Sequence, residues 1–245
     1  MGLILSAPGE AVAQTLSVDE TVTLVRGVYY EGMPEEQAER IGPDGCAQLI
    51  EMLADPRESR SHAQVLLAIG ICHPSGGFEA IRDWADTPRE GEIDRATFRT
   101  WQALPAALGH LARHDPRALA RLEAQLNESE APTWTFRHHR GARLVSQSRR
   151  SAATCLARTG MPEAGAALDR VRGDASDQRF RDHLEGARRL HRESAGGLGL
   201  DAGRGAETGR GAEAARAEAG RPQTGRDADP ARDAYIRGGF QGMAR

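Results

Sequence analysis

Lysine is absent from this chain: all 32 residues of the Lys/Arg class are arginines. Alanine and glycine are abundant as well, so the pattern fits GC-rich codon usage. Selection for bidentate anion contacts would show instead as a local arginine cluster. Aromatic residues are scarce, at 4%, and apolar residues reach only 39%, below the ~45–50% of an average globular chain. A core must therefore rest on Leu, Ala, Ile and Val, which suits close helix packing better than a sheet sandwich. The three cysteines, Cys46, Cys72 and Cys155, have no CxxC spacing. Each sits among apolar residues of a helical pattern, so they read as buried small hydrophobes and not as a disulfide or zinc framework. No apolar run approaches the ~20 residues of a membrane span. The net charge of −3 lacks the basic excess of a general nucleic-acid binder, which makes nucleic acid an unexpected partner. Dinucleotide, Walker and nucleophile-elbow glycine motifs are missing too, and nothing calls for a cofactor.

What is present divides the chain in three. Residues 1–16 read as a flexible leader. Leu3-Ile4-Leu5 and Ala11-Val12-Ala13 give it a short apolar patch and a small-x-small step. The basic start of a signal peptide is missing, so a cytoplasmic location is the expectation. Export is the alternative if Ala11-Val12-Ala13 is a signal-peptidase site. Residues 17–191 carry helical periodicity. Residues 192–245 turn to Gly, Ala and Arg with quasi-repeats such as Arg204-Gly205-Ala206-Glu207 and Arg210-Gly211-Ala212-Glu213. That composition cannot bury enough apolar surface to offset its ordering entropy, and it reads as a disordered tail.

Helix starts and stops are legible in the middle part. Ser17 with Glu20 is a capping-box pattern. Pro34 opens a short acidic helix, Asp44 is expected to cap the next one, and Asp55-Pro56 ends it. Further helices follow over about 61–72, 78–85, 95–113, 116–126, 139–157, 164–171 and 180–190. Pro105 should kink or divide its helix. Loops 86–94 and 127–138 separate them.

Three places share one grammar: an Ala/Leu-rich helix, a glycine near its end, a proline turn and a shorter amphipathic helix. They centre on Gly70, Gly109 and Gly160, about 40 and then about 50 residues apart, against ~40–47 for HEAT units. The longer interval is explained by an insertion at 127–138. In this reading glycine eases the tight exit and proline starts the second helix. Asp55-Pro56 echoes the corner one unit earlier.

The stretch A-L-G-H-L … D-P-R-A-L at 107–119 resembles the degenerate consensus of bacterial HEAT-repeat proteins, and the resemblance extends over about 44–172. It implies an all-α fold, a short right-handed α-solenoid of antiparallel helix pairs, whose concave surface is presented to a protein partner. Some relatives of that class are chromophore lyases and others are DNA glycosylases, but neither activity follows from fold alone. The expected function is therefore a non-enzymatic interaction scaffold. The alternative is a nucleic-acid binder or enzyme of the HEAT-like glycosylase type that uses the Arg-rich segment 137–150.

The candidate binding residues are Trp134, Phe136, Arg137, Arg140, Arg143 and Arg150. Arg143 and Arg150 are seven apart and share a helix face, and the aromatics just before them are placed to stack on a ligand. The cluster would suit an acidic partner. The plainer alternative is a solvated face with two aromatics tucked onto the helices. His110 and His114 have the i, i+4 spacing of half a metal site, yet no third ligand or H-E-x-x-H glutamate accompanies them. No catalytic or metal residues are assigned.

Overall fold

Some helix starts are set by short side chains that satisfy the first free N–H groups, as the spacing predicts. At α1 (Val18–Arg26) the Glu20 N–H donates to Ser17 Oγ while the Ser17 N–H donates to Glu20 Oε2, the reciprocal capping box. α2 (Glu35–Ala38) and α3 (Pro43–Ala54) follow. α3 departs from expectation at its start. Gly42 is its N-cap, Pro43 holds the first helical position, and Asp44 lies in the first turn. Proline's φ already matches a helix, so it displaces the cap by two residues.

The computed structural model describes residues 14–29 and 32–204, with side chains to 196. Ala11-Val12-Ala13 and the quasi-repeats beyond Arg204 lie outside the described residues. Within the described part the chain is mostly helical. After α3 come a 3-10 turn (Pro56–Glu58), α4 (His62–Cys72), α5 (Gly77–Asp86), β1 (Gly91–Glu92) and α6 (Arg95–Leu111). Then come α7 (Pro116–Asn127), β2 (Trp134–Thr135), α8 (Ala142–Thr159), α9 (Pro162–Asp174) and α10 (Gln178–Arg204). α10 continues past Arg192, where the composition changes. At the other end residues 14–16 are held, because the Leu16 N–H donates to the Arg40 carbonyl and the Arg40 guanidinium donates to that of Gln14.

The packing order is regular. α4, α6, α8 and α10 each lie against the next. The alternate helices form a second row: α3 touches α4 and α5, α7 touches α6, α8 and α9, and α9 touches α8 and α10. Leu66, Ile69, Leu108, Leu122, Leu156, Leu168 and Leu184 fill the seam and are fully buried. Each such side chain contributes roughly 1.5–3 kcal/mol of burial. The core along this seam is mainly aliphatic, with Phe180 a buried exception.

Two corners repeat almost atom for atom. The Arg57 N–H donates to Asp55 Oδ1 at 2.9 Å, and the Arg57 guanidinium returns to the same carboxylate. The Arg117 N–H donates to Asp115 Oδ1 at 2.9 Å, and its guanidinium also returns. In each, aspartate caps, proline occupies the first helical position and arginine closes the ring. The arginine beside each carboxyl, chiefly through its side-chain hydrogen bond, holds Asp55 and Asp115 below the usual carboxylate range. Asp177 repeats the backbone part, accepting from the Arg179 N–H at 3.0 Å.

The glycines do something other than ease helix exits. Only Gly160 ends its helix in a left-handed conformation, at φ +66°, while α4 ends on His73 at φ +40°. Gly70 lies inside α4, where an added Cβ would stand 2.5 Å from the Ala107 carbonyl oxygen and 2.8 Å from its Cα. It is the contact that lets α4 and α6 approach. At Gly109 the same Cβ would meet Cys155 Cβ at 3.5 Å, an ordinary contact. Gly70→Ala should therefore cost about 1–3 kcal/mol in urea unfolding. Gly109→Ala should be neutral or stabilising, by up to ~1 kcal/mol of helix propensity. Equal effects at the two sites would refute the close-approach assignment.

Pro105 does not divide α6, which runs unbroken with Pro105 buried in it. Its missing N–H leaves the Trp101 carbonyl without the usual partner. The cysteines are the larger correction. Cys46 and Cys72 form a disulfide with Cα atoms 6.4 Å apart, and Cys155 is free. Antiparallel packing brings the start of α3 beside the end of α4, a juxtaposition that a separation of 26 residues does not announce.

Candidate functional site

The two loops that interrupt the helical rhythm meet. β1 pairs in parallel with β2, Gly91 opposite Trp134 and Glu92 opposite Thr135. The Ile93 N–H donates to the Thr135 carbonyl at 2.9 Å, and the Thr133 hydroxyl donates to that of Arg89 at 2.8 Å. Beyond β2 the chain folds back on itself. Phe136 and His139 exchange both backbone hydrogen bonds, and Arg137 takes the left-handed conformation between them at φ +50°.

A second, smaller core lies under these loops, separate from the aliphatic seam. Phe98, Trp134 and Leu144 are its buried members, with Ile93, Trp101 and Phe136 packed against them. Phe136 stacks on Phe98 with ring centroids 4.2 Å apart, and Trp134 meets Trp101 edge-on at 5.1 Å. His139 is buried against Phe98. Its Nδ1 has no hydrogen-bond partner among the described residues, and burial, aided by Arg143 and His138, lowers its pKa. Scarce aromatics are thus concentrated where the helices leave a gap.

This geometry separates the candidate residues. Trp134 is only 7% exposed and belongs to the small core. Phe136 is half-buried and stacked against Phe98. Their faces are occupied by protein, so stacking on a ligand is not what this arrangement offers. Arg137, Arg140 and Arg143 stay exposed on the loop and the first turn of α8. The Arg137 guanidinium lies over the Phe136 ring, 5.4 Å from its centroid, and its backbone N–H donates to Glu92 Oε1. No side-chain hydrogen bond or ion pair joins these three arginines to the described residues. Arg150 lies apart from them. It is half-buried, its Nε lacks an acceptor among the described residues, and its carbonyl lies 3.0 Å from His183 Nε2 of α10.

Arg95 and Arg99 are further arginines of α6, neighbours of Phe98 in the chain. Both are exposed on α6 and flank Phe98, which the Phe136 stack ties to the loop. Sequence spacing did not single them out, since they lie about 40 residues from Arg137. The carboxylates here are Glu90, Glu92 and Asp94, the last capping α6 through the Thr97 N–H at 2.7 Å.

Along α5, α7 and α9 several arginines are matched. Arg117 reaches Glu79, Arg121 reaches Asp86, Arg170 reaches Glu123 and Arg188 reaches Asp169. These pairs run between successive helices and neutralise the α5, α7 and α9 surface. Such exposed pairs contribute little stability individually, but they leave few uncommitted charges there.

The remaining titratable groups read as structural. His62, His183 and His191 lie within hydrogen-bond distance of backbone carbonyls. His110 lies 3.9 Å from Glu35, with its pKa lowered mainly by burial. His114 stacks on His73 at 3.7 Å. Among the described residues no group of three His, Cys, Asp or Glu side chains is arranged to hold a metal ion. Burial pushes the Cys155 thiol up to about 11, which keeps it protonated and a poor nucleophile. No described helix is long and apolar enough to cross a membrane. Comparison with protein-family models, curated proteins and solved structures gave no match.

Proposed function

We propose that the chain is a non-enzymatic interaction scaffold, a short α-solenoid of HEAT-like helix pairs that binds an acidic segment of a protein partner. The alternating rows of helices support the repeat reading, as do the duplicated Asp-Pro-Arg corners at 55–57 and 115–117. The observation that carries the binding reading is narrower. Arg137, Arg140 and Arg143 stand exposed without carboxylate partners on a loop anchored by buried aromatics, while the charges along α5, α7 and α9 are largely paired. A rigid loop lowers the entropy lost on binding, and guanidinium forks match carboxylates bidentately. The contact surface in this reading is the loop end of the stack and not the face of the second helices.

The test compares wild-type protein with the Arg137→Glu, Arg140→Glu, Arg143→Glu triple variant. Folding stability should move by less than about 0.5 kcal/mol per site, as for surface changes. Quantitative capture from a native lysate should lose its acidic partner by at least ~10-fold, about the share of one charge-assisted contact. Identical captures by the two proteins would reject the site. Low-salt gel shifts with duplex and single-stranded DNA should be negative, and retardation abolished by the triple variant would transfer the site to nucleic acid.

A further inference from the structure

A second feature involves none of the loop arginines. A cavity of about 320 Å³ opens between the 128–133 segment, α8 and the start of α10. From α8 it is lined by Ala142, Val145, Ser146 and Arg149, the i, i+3, i+4, i+7 stripe of one helix face. Phe180 and Asp177 close the far side. The volume is at the lower end of the range for small-ligand sites.

Arg149 is held in place twice. Its Nε–H donates to the Leu126 carbonyl at 3.0 Å, and its guanidinium carbon lies 4.0 Å from the Phe180 ring centroid. Nη1 and Nη2 have no acceptor among the described residues, and neither is among the buried, unpartnered atoms. A planar fork is therefore fixed at a cavity with its outer N–H groups unmet. Fixing it beforehand removes the rotamer entropy that a free arginine loses on binding. Burial depresses the guanidinium's pKa, an expense that an arriving anion would relieve. Asp177 is the nearest charge across the cavity and offsets only part of that. Its own negative charge selects against a dianion such as phosphate.

We propose that this cavity binds a monocarboxylate carried on a short aliphatic body. The carboxylate takes the outer N–H groups of Arg149, and the body packs against Val145, Ala142 and Phe180. A free small acid and the C-terminal residue of a peptide share this chemistry. The test is a ¹H–¹⁵N NMR titration following the Arg149 Nε–H. The probes are isovalerate, isovaleramide, and an Ala-Ala-Ala-Leu peptide with a free or amidated C-terminus.

Saturable shifts are expected from the carboxylates, with Kd on the order of 1 mM. The amides should bind at least ~10-fold more weakly. Saturation by isovalerate alone points to a free acid, and saturation by the free peptide alone points to a chain terminus. Either supports the site. Arg149→Lys, followed through the backbone amides of α8 because the side-chain reporter is lost, should weaken binding ~10-fold by removing the fork. Ala142→Trp fills the cavity from an exposed position at the start of α8, two helical turns from Arg149, and it should also abolish binding. Ala142→Trp decides the matter if Arg149→Lys disturbs the packing on Phe180. Equal shifts from acid and amide overturn the proposal. So does unchanged binding in Ala142→Trp, or no saturation by about 20 mM, well above the expected Kd.

Discussion

Trp134→Ala is expected to lower the unfolding free energy by about 3–5 kcal/mol, the range for emptying a buried tryptophan site. Trp134 is nearly enclosed, meets Trp101 and Phe98 edge-on, and supplies half of the β1–β2 pairing through its backbone. Removing the ring leaves Phe98 and Leu144 without their third buried neighbour and frees the loop from α6. Urea unfolding followed by circular dichroism gives the magnitude, and near-ultraviolet dichroism reports the local loosening around Trp101. Arg140→Ala is the matched control and should stay within about 0.5 kcal/mol. A Trp134→Ala effect as small as the control's would mean that the ring is not packed. It would return Trp134 to the role of ligand platform that its sequence position suggests.

Reducing the Cys46–Cys72 disulfide should cost about 3 kcal/mol. The cross-link spans 26 residues, and closing a loop of that size in the unfolded chain removes conformational entropy of that order. For a domain near 180 residues the loss lowers Tm by roughly 6–12 °C. The scan compares oxidised protein with protein held in a phosphine reductant, and Cys72→Ala should match the reduced form. A thiol count on denatured, unreduced protein is the independent check, since one titratable thiol, Cys155, is expected. A count of three, with no Tm change on reduction, would dispose of the cross-link. The result also bears on location. Structural disulfides persist in oxidising compartments, so one thiol in freshly isolated protein favours the export alternative over the cytoplasmic expectation.

Legibility differed from feature to feature for physical reasons. Ser17 with Glu20, and Asp115 before Pro116, are local devices whose partners lie within four residues, and the structure realises them as read. The leucine and isoleucine stripes place their residues in the seam for the same reason, because a helix face is defined by nearest turns. Gly70 was legible as a repeat marker but not as a contact. Its reason for being glycine is Ala107, 37 residues on. The same limit hid the Cys46–Cys72 pairing and the meeting of β1 with β2.

By itself, then, the sequence determined that this is a helical chain with an aliphatic seam, where its helices begin, and which loops break the rhythm. Each of those follows from interactions spanning a turn or two of backbone. Tertiary structure alone decided what the odd residues do. It chose the core over the ligand platform for Trp134, joined two cysteines, left three arginines unmatched where most of their kind along the second row are paired, and fixed Arg149 beside a cavity. Those outcomes depend on which helices become neighbours, and burial, pairing and free charge are properties of neighbours in space.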